Sequence, residues 1–234
     1  MNILITSAAS DLTQGLAGAL SSEHQIRLTD LIDVETEFEF VRCDLGHDES
    51  TNKLVQGIDA IVHVAQMPPS LLSESNQPEN SEIDFQTRCT YNLLMAAVEE
   101  GVPRAIYAST LHLFDSHDED WTVTEVWRPR PATDAAILSK YLGEFTCREF
   151  AREGHMRIAC LRLGALVTAE AAANQPIDST WLEVNDAIHA FECALNTSGE
   201  RRWDIYHIQS EFPNSRFSIN KAKTSLEFNP QFSV

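Results

Sequence analysis

Short apolar, β-rich runs alternate with segments of helical period along most of this chain, and that alternation limits the fold more than any other feature. Strands are predicted at 2–6, 25–29, 38–42, 58–64, 104–109 and 156–163, and helices at 12–20, 50–56, 81–100 and 134–152. A strand–helix–strand succession needs crossovers, which lay parallel strands side by side and cover both sheet faces with helices. The expected class is therefore α/β, a doubly wound parallel sheet, over residues 1–164. Residues 165–234 offer a loop, a helix near 185–197, a strand near 203–209 and a helix near 219–227. They are too few for a second full domain and are expected to complete the fold and its substrate side as a very small appendage.

The 234 residues, 43% of them hydrophobic, suffice for one sizeable core. No apolar run approaches the ~18–20 residues that cross a bilayer, and no basic segment precedes an apolar one at the start, so neither membrane insertion nor export is expected. The mature chain is then expected to begin at Met1. Cys43, Cys89, Cys147, Cys160 and Cys193 are odd in number and lack any C-x-x-C spacing. That pattern suits reduced core thiols in a cytoplasm. A formal charge of −18 repels phosphate backbones and excludes nucleic acid as a partner. Two stretches interrupt the rhythm, a Pro/Ser/Asn loop at 66–80 and an acidic, Trp-containing loop at 115–131. Both follow strands at their carboxyl ends, where open α/β sheets place ligands.

Several segments together resemble the extended short-chain dehydrogenase/reductases of the NAD-dependent epimerase/dehydratase type. IRLTD ends at Asp30, where that family sets an acid on the adenosine ribose, and FVRCDL supplies the pair Asp44 and Leu45 beside the adenine. IDAIVHVAQ is similar to the fourth-strand signature and ends at Ala65 and Gln66. TYNLLMAAVEEGVPRAIYAST leads to Thr110 at the catalytic Ser/Thr position, and PATDAAILSKYLGE carries Lys140 on the catalytic helix. WDIYHI and NKAKTSLEFNPQF match the closing strand and helix, and the short end is similar to compact sugar-acid dehydrogenases of the family. The resemblance implies a Rossmann-like fold, NAD as cofactor, a small sugar-like substrate and a homodimer pairing the helices at 81–100 and 134–152. An acid at Asp30 would favour NAD over NADP.

The family's functional positions are the ones that depart. Its three glycines fall on Ser7, Ser10 and Thr13 in SAASDLTQGLAG. Glycine there allows a tight turn, close approach to a pyrophosphate and close helix–strand packing. Ser10 would instead cap the helix through its hydroxyl, worth about 1 kcal/mol. Asp11 would set its own anion in the first turn, opposing a pyrophosphate by ~3 kcal/mol at ~5 Å. Two readings follow. The turn binds nothing, or Ser7, Ala9, Ser10, Asp11 and Leu12 hold a weakened dinucleotide with hydroxyls replacing backbone contact, aided by Asp30, Asp44, Leu45, Ala65, Gln66 and Lys140. Asp30 and Asp44 have a plain alternative as solvated strand-end acids, and Gln66 is large enough to fill the adenosine crevice.

Four residues before Lys140, where the family's catalytic tyrosine belongs, stands Ala136, and a methyl group transfers no proton. Tyr141 lies ~140° round the helix from that position. Lys140 could equally pair with Glu144 one turn on, and Thr110 could be an ordinary strand residue. Gln86 and Cys89 stand at the family's supporting Asn and Gly positions. His112, Asp115, His117, Asp118 and Asp120 are too loosely spaced for a metal site, and none is expected. Trp121 and Trp127 either line a pocket or pack on the body. The expected function is a catalytically degenerate member of the family, binding NAD weakly or not at all. The alternative is an active NAD-dependent oxidoreductase or epimerase on a small sugar or sugar acid, using Thr110, Lys140 and a loop residue such as His112 or Asp134.

Overall fold

The computed structural model describes residues 1–197, 199, 201–212 and 215–232. Its strands are β1 (Asn2–Thr6), β2 (Gln25–Asp30), β3 (Glu39–Arg42), β4 (Ala60–His63), β5 (Arg104–Thr110), β6 (Arg157–Leu163), β7 (Ala165–Val167), β8 (Trp181–Glu183) and β9 (Trp203–Ile208). The helices are α1 (Asp11–Leu20), α2 (Glu49–Val55), α3 (Pro69–Glu74), α4 (Pro78–Asp84), α5 (Thr90–Glu99), α6 (Ala135–Glu153), α7 (Ala169–Ala172), α8 (Val184–Asn196) and α9 (Asn220–Ser225). Seven strands form one parallel sheet in the order β3-β2-β1-β4-β5-β6-β9, and β7 pairs with β8 in a separate two-stranded ribbon. The order reverses between β1 and β4, the switch point at which such sheets open a crevice.

β1 and β4 are buried along nearly their whole length, which explains why they read as continuous apolar runs rather than alternating ones. One face of the sheet packs on α1 and α8 through Leu16, Leu28, Ile106, Phe191 and Phe228. The other packs on α2, α5 and α6 through Leu4, Leu54, Leu93, Tyr107 and Phe150. β9 lies beside β6 in full register, so the segment after residue 164 closes the edge of the same sheet.

Three expectations are corrected. The stretch 66–80 is no plain loop, because Pro69 and Pro78 each start a short helix, a position that suits their fixed φ and missing amide. The helix expected over 81–100 is α4 and α5 joined by a π-helical turn at Phe85–Cys89. The region after 164 also holds the β7–β8 ribbon and α7, segments too short to show a period.

Candidate functional site

The turn leaving β1 keeps the backbone shape that glycine normally supplies. Ser7 is left-handed at φ 65°, and Ser10 N–H closes the turn on the Ser7 carbonyl at 2.9 Å. An L-residue pays roughly 1–2 kcal/mol for that conformation. The hydroxyls at the three substituted positions all have protein partners. Ser7 Oγ accepts from Gln66 N–H at 2.9 Å, Ser10 Oγ donates to Gln66 Oε1 at 3.0 Å, and Thr13 Oγ1 donates to the Thr6 carbonyl at 3.0 Å. Ser10 is thus the N-cap of α1 by position, but its hydroxyl makes no capping bond, contrary to expectation, because Gln66 competes for it. Asp11 is exposed in the first turn, Leu12 is buried in the core, and Ala9 N–H donates to Asp30 Oδ2 at 2.8 Å.

Asp30 also accepts from Leu31 N–H at 2.6 Å, and burial raises its pKa against the pull of these amides. Its carboxylate is a turn brace, nearly closed to solvent. Asp44 is exposed and accepts from Gly46 N–H at 2.9 Å, while Leu45 is buried and left-handed at φ 53°. After β4, Ala65 is buried at φ 52° and Gln66 reaches across to the β1–α1 turn. What lies between is a cavity of about 150 Å³ against Ala9, Asp11, Asp30 and Pro69, and a second of about 180 Å³ against Ala136, Ser139, Lys140 and Glu82. Gln66, Met67 and Pro69 border both.

In the second cavity Lys140 Nζ donates to the carbonyls of Val64 at 2.9 Å, Ala65 at 2.8 Å and Ala108 at 3.0 Å. An ammonium has three protons, so its donor capacity is spent. Burial pulls Lys140 down to about 7. Burial also raises Glu82, with Asp134 adding to the rise and Lys140 opposing it. Thr110 ends β5 and accepts from His112 N–H at 3.2 Å, capping the short turn Leu111–Phe114. His112 Nδ1 lies 2.9 Å from Asp115 Oδ2 on the exposed surface, and Asp134 caps α6 through Ile137 N–H at 3.1 Å.

A family model for the NAD dependent epimerase/dehydratase family matches residues 12–209. The chain belongs to that family. Its relatives include a uronate dehydrogenase of Pseudomonas syringae pv. tomato, 25% identical over 98% of this chain and 81% of the relative. An NAD-dependent glucose-6-phosphate dehydrogenase of Haloferax volcanii is 22% identical over 98% of this chain and 92% of the relative. Among solved structures, a mutated uronate dehydrogenase superposes with a TM-score of 0.82 at 25% identity, covering 99% of this chain and 82% of the other. Glucuronic acid dehydrogenase from Chromohalobacter salexigens shares the fold, with a TM-score of 0.82 at 24% identity over 99% and 85% of the two chains.

The residues of the β1–α1 turn and of α6 depart from the pattern that the resemblance implies, with Ser7, Ser10 and Thr13 at its glycine positions and Ala136 at its tyrosine position. Each cavity is smaller than the ~300–1,000 Å³ of an ordinary ligand pocket. The groove between turn and β4 is bridged by Gln66, and the lysine that the family uses on its catalytic helix is bonded to main chain. Two further placements depart from expectation. Glu144 does not pair with Lys140; it grips Arg162 through two bonds of 2.7 Å, with both side chains buried. Gln86, expected only as a drifted support, is buried, donates to the Ala65 carbonyl and accepts from Tyr107 hydroxyl at 2.8 Å.

Sequence reasoning missed Tyr107 and Arg162 as parts of this network, since both sit inside strand runs that carry no motif. It also missed His63, whose ring nitrogens each lie 2.9 Å from a hydroxyl, Thr6 on one side and Thr90 on the other. Burial and the charge of Lys140 hold His63 down to about 3. Among the described residues no three His, Cys, Asp or Glu side chains converge on a metal position, and no helix is long and apolar enough to cross a membrane.

Proposed function

We propose that this family member is catalytically degenerate, a Rossmann scaffold that acts by weak nucleotide binding or by association rather than by hydride transfer. The observation that carries the reading is Lys140, whose three protons are held by the Val64, Ala65 and Ala108 carbonyls while Ala136 stands four residues earlier. A tyrosine at 136 would need that ammonium near its phenol to lower its pKa. Here the ammonium pins α6, β5 and the segment after β4 together. The Ser7–Gln66–Ser10 bridge supports the same reading on the cofactor side. Association is proposed through α5 and α6, where Tyr91 and Phe145 are about half exposed, at 48% and 52%. We place the protein in the cytoplasm, consistent with five free cysteines, four of them buried.

The test is a titration with NAD⁺, NADH and NADP⁺ followed by calorimetry, alongside NADH production from glucuronate and galacturonate. Degeneracy predicts no turnover and dissociation constants in the millimolar range or none. A gain of NAD⁺ binding in Ser10→Gly with Gln66→Ala would support the bridged groove. Sedimentation tests the association face, because a dimer should dissociate on Phe145→Glu with Tyr91→Glu.

The alternative is an active NAD-dependent oxidoreductase on a sugar acid, favoured by the similarity to uronate dehydrogenases over nearly the whole chain. In it Thr110 and Lys140 would serve as site residues, with NAD held by Ser7, Ala9, Ser10, Asp11, Leu12, Asp30, Asp44, Leu45, Ala65 and Gln66. NADH formation that is lost in Lys140→Met and in Thr110→Val would establish it and end the degenerate reading.

A further inference from the structure

At the opposite, amino-terminal edge of the sheet, β5 and β6 begin with Arg104 and Arg157, which are in register on adjacent strands. Side chains in register share a face, so both arginines leave the sheet on the same side. Arg104 donates to Met1 Sδ at 2.8 Å and Arg157 to the Gly199 carbonyl at 3.0 Å. Each guanidinium has five N–H groups, and among the described residues each spends one of them on these bonds. Among the described residues neither arginine has a carboxylate within 4.0 Å, whereas Arg27, Arg42, Arg88 and Arg152 each have one.

Arg201 is a third cation at the same place. Among the described residues its one carboxylate within 4.0 Å, Asp204 at 3.9 Å, is already bonded to Lys221 Nζ and to the Tyr206 hydroxyl at 3.0 Å. These groups border a cavity of about 370 Å³ whose floor is Ile106, Ala159, Ala194 and Leu226. Like charges set side by side on neighbouring strands are destabilising unless something anionic joins them. Two carboxylates lie near, Asp204 in the cavity lining and Asp59 beside Arg104, but among the described residues neither comes within 4.0 Å of Arg104 or Arg157. Burial and the neighbouring charge of Arg157 lower the pKa of Arg104, with Asp59 opposing.

We propose that this cavity binds a phosphomonoester, its phosphate held between Arg104 and Arg157 with Arg201 at the rim, and its organic part on Ile106, Ala159 and Leu226. Paired guanidiniums match phosphate oxygens in planar, bidentate fashion. The apolar floor lowers the local dielectric and strengthens that contact. The cavity lies at the far end of the strands from the β1–α1 turn, so the inference is independent of how the nucleotide groove behaves.

The experiment is calorimetry of the full chain with phenyl phosphate, inorganic phosphate and phenol at low ionic strength. Phenyl phosphate should bind with a submillimolar dissociation constant, inorganic phosphate at least several-fold more weakly, and phenol not at all. Arg104→Gln and Arg157→Gln should each weaken phenyl phosphate about tenfold, and Arg42→Gln should leave it unchanged. Labelling of the wild-type protein with an arginine-selective dicarbonyl gives a second readout that needs no variant: phenyl phosphate should shield Arg104 and Arg157 but not Arg42. No heat at millimolar phenyl phosphate, binding that survives both substitutions, or shielding absent from these two arginines would overturn the proposal. Equal affinity for inorganic phosphate would remove the role given to the apolar floor.

Discussion

Substituting His207 with phenylalanine should make the protein markedly less sensitive to acid. His207 is fully buried, in edge contact with Phe114 and Phe217 at 5.4 and 5.8 Å between ring centroids, and among the described residues neither ring nitrogen has a hydrogen-bond partner of normal geometry. Burial first, then the charges of Arg162 and Lys221, hold its pKa down to about 3, with the Val123 backbone opposing weakly. The unfolded chain takes up the proton near pH 6.5 and the folded chain only near 3, so stability is complete above 6.5 and is lost as pH falls between those values. By linkage the loss is about 2 kcal/mol at pH 5 and about 3 kcal/mol at pH 4 from this one ring. His63, also held down to about 3, adds a similar amount. Together they remove roughly 4 kcal/mol at pH 5, a large part of the ~5–15 kcal/mol of an ordinary domain. Urea unfolding followed by tryptophan fluorescence at pH 7.5, 6 and 5 measures it. His207→Phe fills the same aromatic site and deletes two unpartnered nitrogens, so it should be no less stable than wild type at pH 7.5. Its advantage should widen by about 2 kcal/mol at pH 5. A wild type–variant difference that stays constant from pH 7.5 to 5 would refute the argument, because titrations common to both proteins cancel in it.

The buried pair on α6 and β6 makes a second prediction: Glu144→Gln leaves Arg162 charged and uncompensated, and should cost about 3–5 kcal/mol in urea unfolding, most of it recovered in Glu144→Met with Arg162→Met. Gly143→Ala should lower stability by roughly 1–3 kcal/mol, since a Cβ there would press on the Tyr107 hydroxyl and lie 2.7 Å from its Cζ, and that ring is fully buried with no room to yield. Lys140→Met removes one hydrogen bond from each of three carbonyls, of which Ala65 keeps its bond from Gln86, and should lower the thermal midpoint; an unchanged midpoint would deny the lysine its role as a pin between α6, β5 and the segment after β4.

Periodicity alone carried most of the architecture, because the strands and longer helices have burial patterns that a sequence displays directly. It did not carry α3, α7, β7 or β8, whose three to six residues are shorter than one reliable period. At the candidate site the missing glycines and the missing tyrosine were visible as identities. Their consequences were not, because Gln66 meets Ser7 and Ser10 across more than fifty positions of chain. Local spacing likewise left open a Lys140–Glu144 pair one helical turn apart, yet each has its partners in another element. Lys140 faces the carbonyl ends of β4 and β5, and Glu144 faces Arg162 on β6. Helical neighbours compete with the whole interior for charge, and sequence spacing counts only the neighbours.

The left-handed Ser7 separates two properties that usually travel together, the path of a turn and what the turn can hold. The main chain here already follows the route a glycine would take, at the expense of some strain. What narrows the groove is the Ser10 hydroxyl bonded to the Gln66 carboxamide, with the Ser7 hydroxyl holding the Gln66 main chain. Widening the groove is therefore a matter of trimming atoms rather than rebuilding backbone, so substitutions at Ser10 and Gln66 alter its chemistry while leaving the path of the turn in place.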